Sequence, residues 1–168
     1  MRYQLDFFTV TAICAAALDA LTTCCFIVTG AGSEMNSTLS PLIEHSLVWI
    51  FFYILCRPLI IPLLPDLSRV VFAVFFSTVC LVFAANNFGG LFNGDYFATR
   101  IIGFEGVIAL GYLMATVAYA YHCIVNFSTL KDWIRNTIWM FGFVVLFSVI
   151  EWGFVGMGSL IRRTSQFT

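Results

Sequence analysis

Charge is what this chain has least of. Eight basic and nine acidic side chains serve 168 residues, 10% of the total, where soluble domains carry about 25%. A hydrated surface cannot be assembled from so little, which excludes an ordinary water-soluble globule. The formal net charge of −1 provides no basic field, so nucleic acid is excluded as a partner. Histidine occurs only twice, at His45 and His122, and no H-E-x-x-H or E-x-x-H spacing surrounds either. The sequence has no G-x-x-x-x-G-K-[ST] and no G-x-S-x-G. It also lacks a C-x-x-C pair, a helical row of arginines, and a lysine inside any long apolar run. Phosphate cradles, serine nucleophile elbows, paired-cysteine metal sites, voltage sensors and retinal Schiff bases are set aside accordingly.

Apolar residues, by contrast, are abundant. They make up 61% of the chain, with 19 phenylalanines and a mean hydropathy of +0.96. A spanning helix needs about 20 mostly apolar residues. Five stretches qualify, at about Phe7–Thr29, Leu42–Leu64, Leu67–Phe88, Ile101–Val125 and Ile134–Gly156. The expected fold is all-α, a polytopic transmembrane bundle of about five spans, in a single domain covering residues 1–168. Gly30 to Ser33 ends the first helix. Ser40-Pro41 opens the second, with proline in the first turn. Pro58, Pro62 and Pro65 kink the second early or extend its last part. Asp66 or Ser68 caps the third. Gly89-Gly90 with Asn93 to Asp95, and Ser128 to Asp132, form the later loops. A cleaved signal is not expected, because Asp6 stands where a basic n-region belongs. The six cysteines all lie in apolar runs and read as small buried hydrophobes.

Five spans put the termini on opposite faces. Arg2, Arg57, Arg69, Lys131 and Arg135 fall on the N-terminal side, and Arg100, Arg162 and Arg163 on the other, five against three. The excess assigns the N-terminus to the cytoplasm. Tyr3, Tyr121 and Trp133 then lie at one interface, and Trp49, Tyr96 and Trp152 at the other. His122 reads as interfacial. The sequons at Asn36 and Asn126 fall on opposite faces, so at most one is usable.

An ionisable group in lipid costs several kcal/mol and needs a reason. Asp19 sits near the centre of the first helix. Thr22 and Thr23 follow at i+3 and i+4, on the same face. The bland reading is a hydrogen-bonded carboxyl that holds the bundle together; the sharper one is a proton, ion or substrate role. Ala12, Ala16 and Ala20 form a small-residue stripe beside it, as close helix packing requires. Gly103, Gly106 and Gly111 read the same way in the fourth helix, and Gly153 and Gly156 in the fifth. Glu34, Glu44, Asp95, Glu105 and Glu151 all fall in the outer half, with His45, Asn36, Asn86, Asn87 and Asn93. Formal charge is then about −2 outside and +2 inside. Glu34, Asn36, Glu105 and Glu151 are candidates for a substrate or ion site, and His45 with Asp95 for a carboxylate–histidine metal site. The alternative is an interfacial charge pattern balanced by Arg100.

The run Asp19-Ala20-Leu21-Thr22-Thr23, then Gly30, then Glu34-Met35-Asn36, resembles an uncharacterised group of small prokaryotic membrane proteins, largely archaeal and bacterial. Their first helix carries D-x-x-T, followed by a glycine turn and E-x-N-P, with an asparagine near the end of the third helix. Asn86 or Asn87 matches that asparagine, whereas Ser37 stands where the group usually has proline. The resemblance covers roughly the first 90 residues. It supports the topology and flags Asp19, Glu34 and Asn36; it implies no activity and no cofactor.

The functional expectation is a non-catalytic integral membrane subunit or accessory protein, whose partners are the lipid bilayer and other membrane subunits or further copies of itself. The alternatives are a small transporter or a protein handling ions or protons through Asp19 and the outer acidic cluster, and a metal-dependent membrane enzyme.

Overall fold

A computed structural model describes residues 5–31, 42–43, 46–94, 96–126 and 129–165. Those residues are helical or connecting, with no strand among them. The helices are α1 (Phe7–Val28), α2 (Val48–Leu55), α3 (Asp66–Asn93), α4 (Phe97–Asn126) and α5 (Leu130–Ser165), with a 3₁₀ turn at Ile61–Leu63 between α2 and α3. Among the described residues, three segments are long and apolar enough to cross a membrane: Phe7–Val28, Asp66–Phe92 and Glu105–Val125. Large apolar side chains stand exposed along them, including Leu21, Leu81, Leu113 and Val117. So much outward apolar surface is the mark of a chain covered by lipid rather than water.

α1 starts cleanly because Asp6 caps it, its Oδ1 accepting a bond from the Thr9 N–H at 2.8 Å. α3 begins differently from the expectation above. Its N-cap is Pro65, which makes no side-chain cap bond, and Asp66 is its first residue, bonded at 2.6 Å to Arg69 one turn on. Proline here presets the entering backbone and needs no N–H partner.

α1 and α3 run parallel, in a constant register along their whole length. Asp6 pairs with Arg69, Ala12 packs on Ala73 and Phe76, Ala16 meets Cys80, and Asn87 bonds Thr23. The alanine stripe allows this: Ala12, Ala16 and Ala20 have no exposed surface, so the two backbones close on each other.

Two parallel helices that start at the same end require the chain between them to return along the bundle. It does so as a broken element. Among the described residues of the stretch expected as one helix from Leu42 to Leu64, Leu42 and Ile43 are helical and α2 adds eight residues, about 12 Å at 1.5 Å per residue. Ile54 and Leu55 lie against Ala15, Ala16 and Cys80, and Ile61 and Leu64 against Ala12 and Ala73. The path therefore descends from the far end of α1 to its start. α2 stops at Cys56 because Pro58 has no N–H to continue the ladder and disfavours helical backbone before it. The proposed opening of that helix at Ser40-Pro41 lies outside the described residues.

α4 returns antiparallel on the opposite face of α3. Leu67 and Val71 near the start of α3 meet Ala115, Tyr119 and Cys123 near the end of α4. Gly111 makes the contact tight: a Cβ there would stand 2.6 Å from Val79 Cγ2. The other two glycines of that expected face do not share the role. Gly103 sits at φ 69° and ψ 170°, a non-helical kink, open to glycine because it has no Cβ. A Cβ on Gly106 would meet only Ile102 of its own helix. α5 then runs back, with Trp133 against Tyr119 at its start, ring centroids 5.2 Å apart, and Phe154 against Tyr53 near its end, at 5.0 Å.

Candidate functional site

The strongest constellation is buried between α1, α3 and the break after α2, at mid-height. Asp19 is 6% exposed. Thr22 and Thr23 share its face because residues three and four apart on a helix are neighbours. The Thr22 hydroxyl donates to the Asp19 backbone carbonyl at 3.0 Å, and the Thr23 hydroxyl points at the carboxylate Oδ1 at 3.5 Å, long for such a bond. Asn87 of α3 reaches across the parallel seam and donates its amide to the Thr23 hydroxyl at 2.9 Å and to the Thr22 hydroxyl at 3.4 Å. Asn86 beside it is also buried.

Two further groups lie nearby. The Cys80 thiol of α3 packs against Ala15 and Ala16, one turn along α1 from Asp19, and the charges of Asp19 and Arg57 both belong to its electrostatic surroundings. Arg57 comes from the break after α2, with its Cζ 4.1 Å from the centroid of the Tyr53 ring. An aromatic face attracts a cation, and more strongly once both are desolvated. The arrangement is thus a buried carboxylate with two hydroxyls and a carboxamide stacked toward one end.

Arg57, which the sequence reading counts on the side of the N-terminus, belongs to the turn between α2 and the 3₁₀ segment. Its companions Ile54, Leu55 and Cys80 lie at the level of Ala15 and Ala16, well inside α1. Sequence reasoning did not bring Arg57, Tyr53 and Cys80 near the centre. One signal was available for Arg57, a lone charge joined to Pro58 inside an apolar stretch. None existed for Cys80, whose proximity depends on the parallel packing of α3.

A second polar cluster closes the end of the bundle where α1 and α3 start. Arg69 is buried and bridges two carboxylates, Asp6 Oδ2 at 2.7 Å and Asp66 Oδ1 at 2.6 Å. Partial burial pushes the Asp6 carboxyl up; the Thr9 hydrogen bonds and Arg69 outweigh it and hold the group below its ordinary range.

The outer candidates divide differently. Glu34, Asn36, His45 and Asp95 lie outside the described residues. Glu151 falls within α5. Glu105 is exposed on α4. Among the described residues no group of three or more His, Cys, Asp or Glu is placed to hold a metal ion.

No family model matches this chain, and neither a curated protein nor a solved structure matches it significantly.

Proposed function

We propose that this chain is a five-crossing integral membrane protein that acts as a non-catalytic subunit or accessory component of a membrane complex, with α5 as its association element. The observation that carries this reading is the exposed apolar surface along α5. Ile134, Ile138, Phe141, Val145, Val149 and Trp152 are all exposed, while among its described residues Trp133 packs on Tyr119 of α4 and Ile150 and Phe154 pack against the α2 region. Nothing lies within 4 Å of where a Cβ would sit on Gly142 or Gly153. Each helical glycine costs about 1 kcal/mol relative to alanine, and small residues let a neighbouring helix approach closely. The resemblance of residues 1–90 to small prokaryotic membrane proteins fits this reading and adds no activity to it. The parallel α1 and α3 support the count, because the chain between them must cross back. Five basic residues against three favour a cytoplasmic N-terminus.

The test is purification in mild detergent. A stoichiometric partner or a homo-oligomer is expected, and Gly142→Leu and Gly153→Leu should dissociate it without unfolding the chain. A lone monomer, with both variants behaving like the natural sequence in every assay, overturns the reading.

The buried centre favours a second reading, the handling of a proton or ion. A carboxylate at mid-height beside a discontinuous crossing is the arrangement in which transporters place their sites. Proton-gradient-driven flux in liposomes, abolished by Asp19→Asn, is its test.

A further inference from the structure

We propose that Tyr96 is a hinged lid on the α1–α3 seam, which shuts the buried Thr22, Thr23 and Asn87 groups off from the end of the bundle where α1 stops and opens to let water reach them. The proposal rests on the second reading above, since a centre that handles a proton or an ion needs a wetted way in, and it names the element that opens that way.

The seam carries an aromatic layer one turn beyond its polar one. Phe26 follows Thr22 and Thr23 by four and three positions, and Gly90 follows Asn86 and Asn87 by the same steps, so each lies over the polar residues of its own helix. The two meet across the seam. A Cβ at Gly90 would stand 2.9 Å from Phe26 Cε2 and 2.6 Å from Tyr96 Cε1. The Tyr96 ring thus fills the place that a side chain at Gly90 would take, edge-on to Phe26 with centroids 5.6 Å apart. Phe26, Asn86 and Gly90 are all buried. Two rings and a bare stretch of backbone therefore stand between the hydroxyl–carboxamide bonds and the end of the bundle. Ring carbon offers water no strong hydrogen bond along that path.

The two rings are held differently. Phe26 belongs to the continuous helix α1. Tyr96 starts the first turn of α4, its carbonyl accepting from the Arg100 N–H at 2.8 Å. That turn lies between two glycines of positive φ, Gly94 at 64° and Gly103 at 69°, and nothing stands within 4 Å of a Cβ at either. Glycine backbone in open space turns with little steric resistance. Arg100 and Ile101 of the turn are exposed. Tyr96 fastens the turn to α1, its hydroxyl donating to the Ala31 carbonyl at 2.7 Å just past the helix end. A neutral hydrogen bond and an aromatic edge are modest fastenings. When they part, the turn swings on its two glycines and the α1–α3 seam stays in place.

Thiol modification tests this on the full chain in phosphatidylcholine–phosphatidylglycerol nanodiscs, in a background lacking the native cysteines. The probe is a charged methanethiosulfonate, which reacts in water and not in lipid. With Tyr96 and Gly90 in place, Thr22→Cys should react about tenfold or more slowly than the exposed Gly30→Cys. Tyr96→Phe removes the anchoring hydroxyl, and Gly90→Ala occupies the seat of the ring. Each should raise the Thr22→Cys rate by about tenfold. Ala12→Cys, fully buried nearer the other end of the same seam, should stay slow in both. Thr22→Cys reacting as fast as Gly30→Cys with Tyr96 and Gly90 in place overturns the lid. So does a Thr22→Cys rate that either variant leaves unchanged, or an Ala12→Cys that accelerates alongside it, which would mean that the whole seam has loosened. Liposome flux is measured separately: a rate governed by Tyr96 and Gly90 without flux removes the transport reading alone, and flux with a rate they do not govern removes the lid alone.

Discussion

Asp6 caps α1 and, through its other carboxylate oxygen, holds Arg69 of α3 at 2.7 Å. One side chain thus starts the first helix and fixes where the third one begins. The rest of the parallel register, from Ala12 on Ala73 to Thr23 under Asn87, follows from that end.

The Asp6 carboxyl is held below its ordinary range. A carboxyl with a depressed folded value contributes stability that is present above its unfolded value, near 3.9, and is lost as pH falls through the folded value. Thermal unfolding in detergent should therefore show the natural chain losing stability below about pH 4, while Asp6→Asn shows less of that loss. At neutral pH Asp6→Ala should cost about 1–2 kcal/mol, the range for a lost cap. Identical acid profiles for the natural chain and Asp6→Asn would show that the pair contributes nothing.

At the centre, Asp19→Leu removes the carboxylate that the Thr23 hydroxyl faces from one turn along α1. A loss of about 1–3 kcal/mol is expected, the cost of leaving a buried polar group without its partner. Asp19→Asn keeps the hydrogen bonding and should leave the fold largely intact. Detergent unfolding equilibria read both variants, and an Asp19→Leu as stable as the natural chain would show that the carboxyl contributes nothing to the fold.

Asn87 donates to two threonines of α1. Asn87→Leu should weaken the α1–α3 contact by about 0.6–2 kcal/mol, the span measured for hydrogen bonds between membrane helices. Asn86→Leu serves as the comparison on the neighbouring helical face. Detergent unfolding equilibria read both variants, and an unchanged Asn87→Leu would show that the seam is held by packing alone.

Gly111 and Gly142 give a matched pair. A Cβ at Gly111 collides with Val79 and Phe75, while one at Gly142 meets nothing within 4 Å. Gly111→Ala should destabilise by about 1–3 kcal/mol through overpacking. Gly142→Ala should be neutral or stabilise the isolated chain by up to about 1 kcal/mol. The reverse order would mean that α4 does not sit against α3 as described.

Topology follows from the ends that meet. In a background lacking the native cysteines, single cysteines at Gly30 and Gly94 should label from one face of the membrane, and at Pro65 and Thr129 from the other. Labelling of Gly30 and Pro65 from the same face would mean that the second segment enters and leaves without crossing.

Sequence by itself determined the membrane class and most of the helices, because both rest on local quantities. Apolar runs of the right length, and scarcity of charge, are properties of neighbours along the chain. The same holds for Asp19 with Thr22 and Thr23, since one helical turn fixes which side chains share a face. The sequence also places Pro58 and Pro62 where the second helix fails, although it leaves open whether the chain kinks, doubles back or crosses in pieces. Tertiary structure sets α1 parallel to α3, so that the chain between them runs back along the bundle. It likewise decides that Cys80 packs one turn along α1 from Asp19, and that Gly103 is a kink while Gly111 is a contact. These are relations between residues tens of positions apart. Hydropathy carries no information about them, because lipid-facing and protein-facing positions in a membrane helix are both apolar. What separates them is how closely two backbones approach and where the few polar groups must find one another.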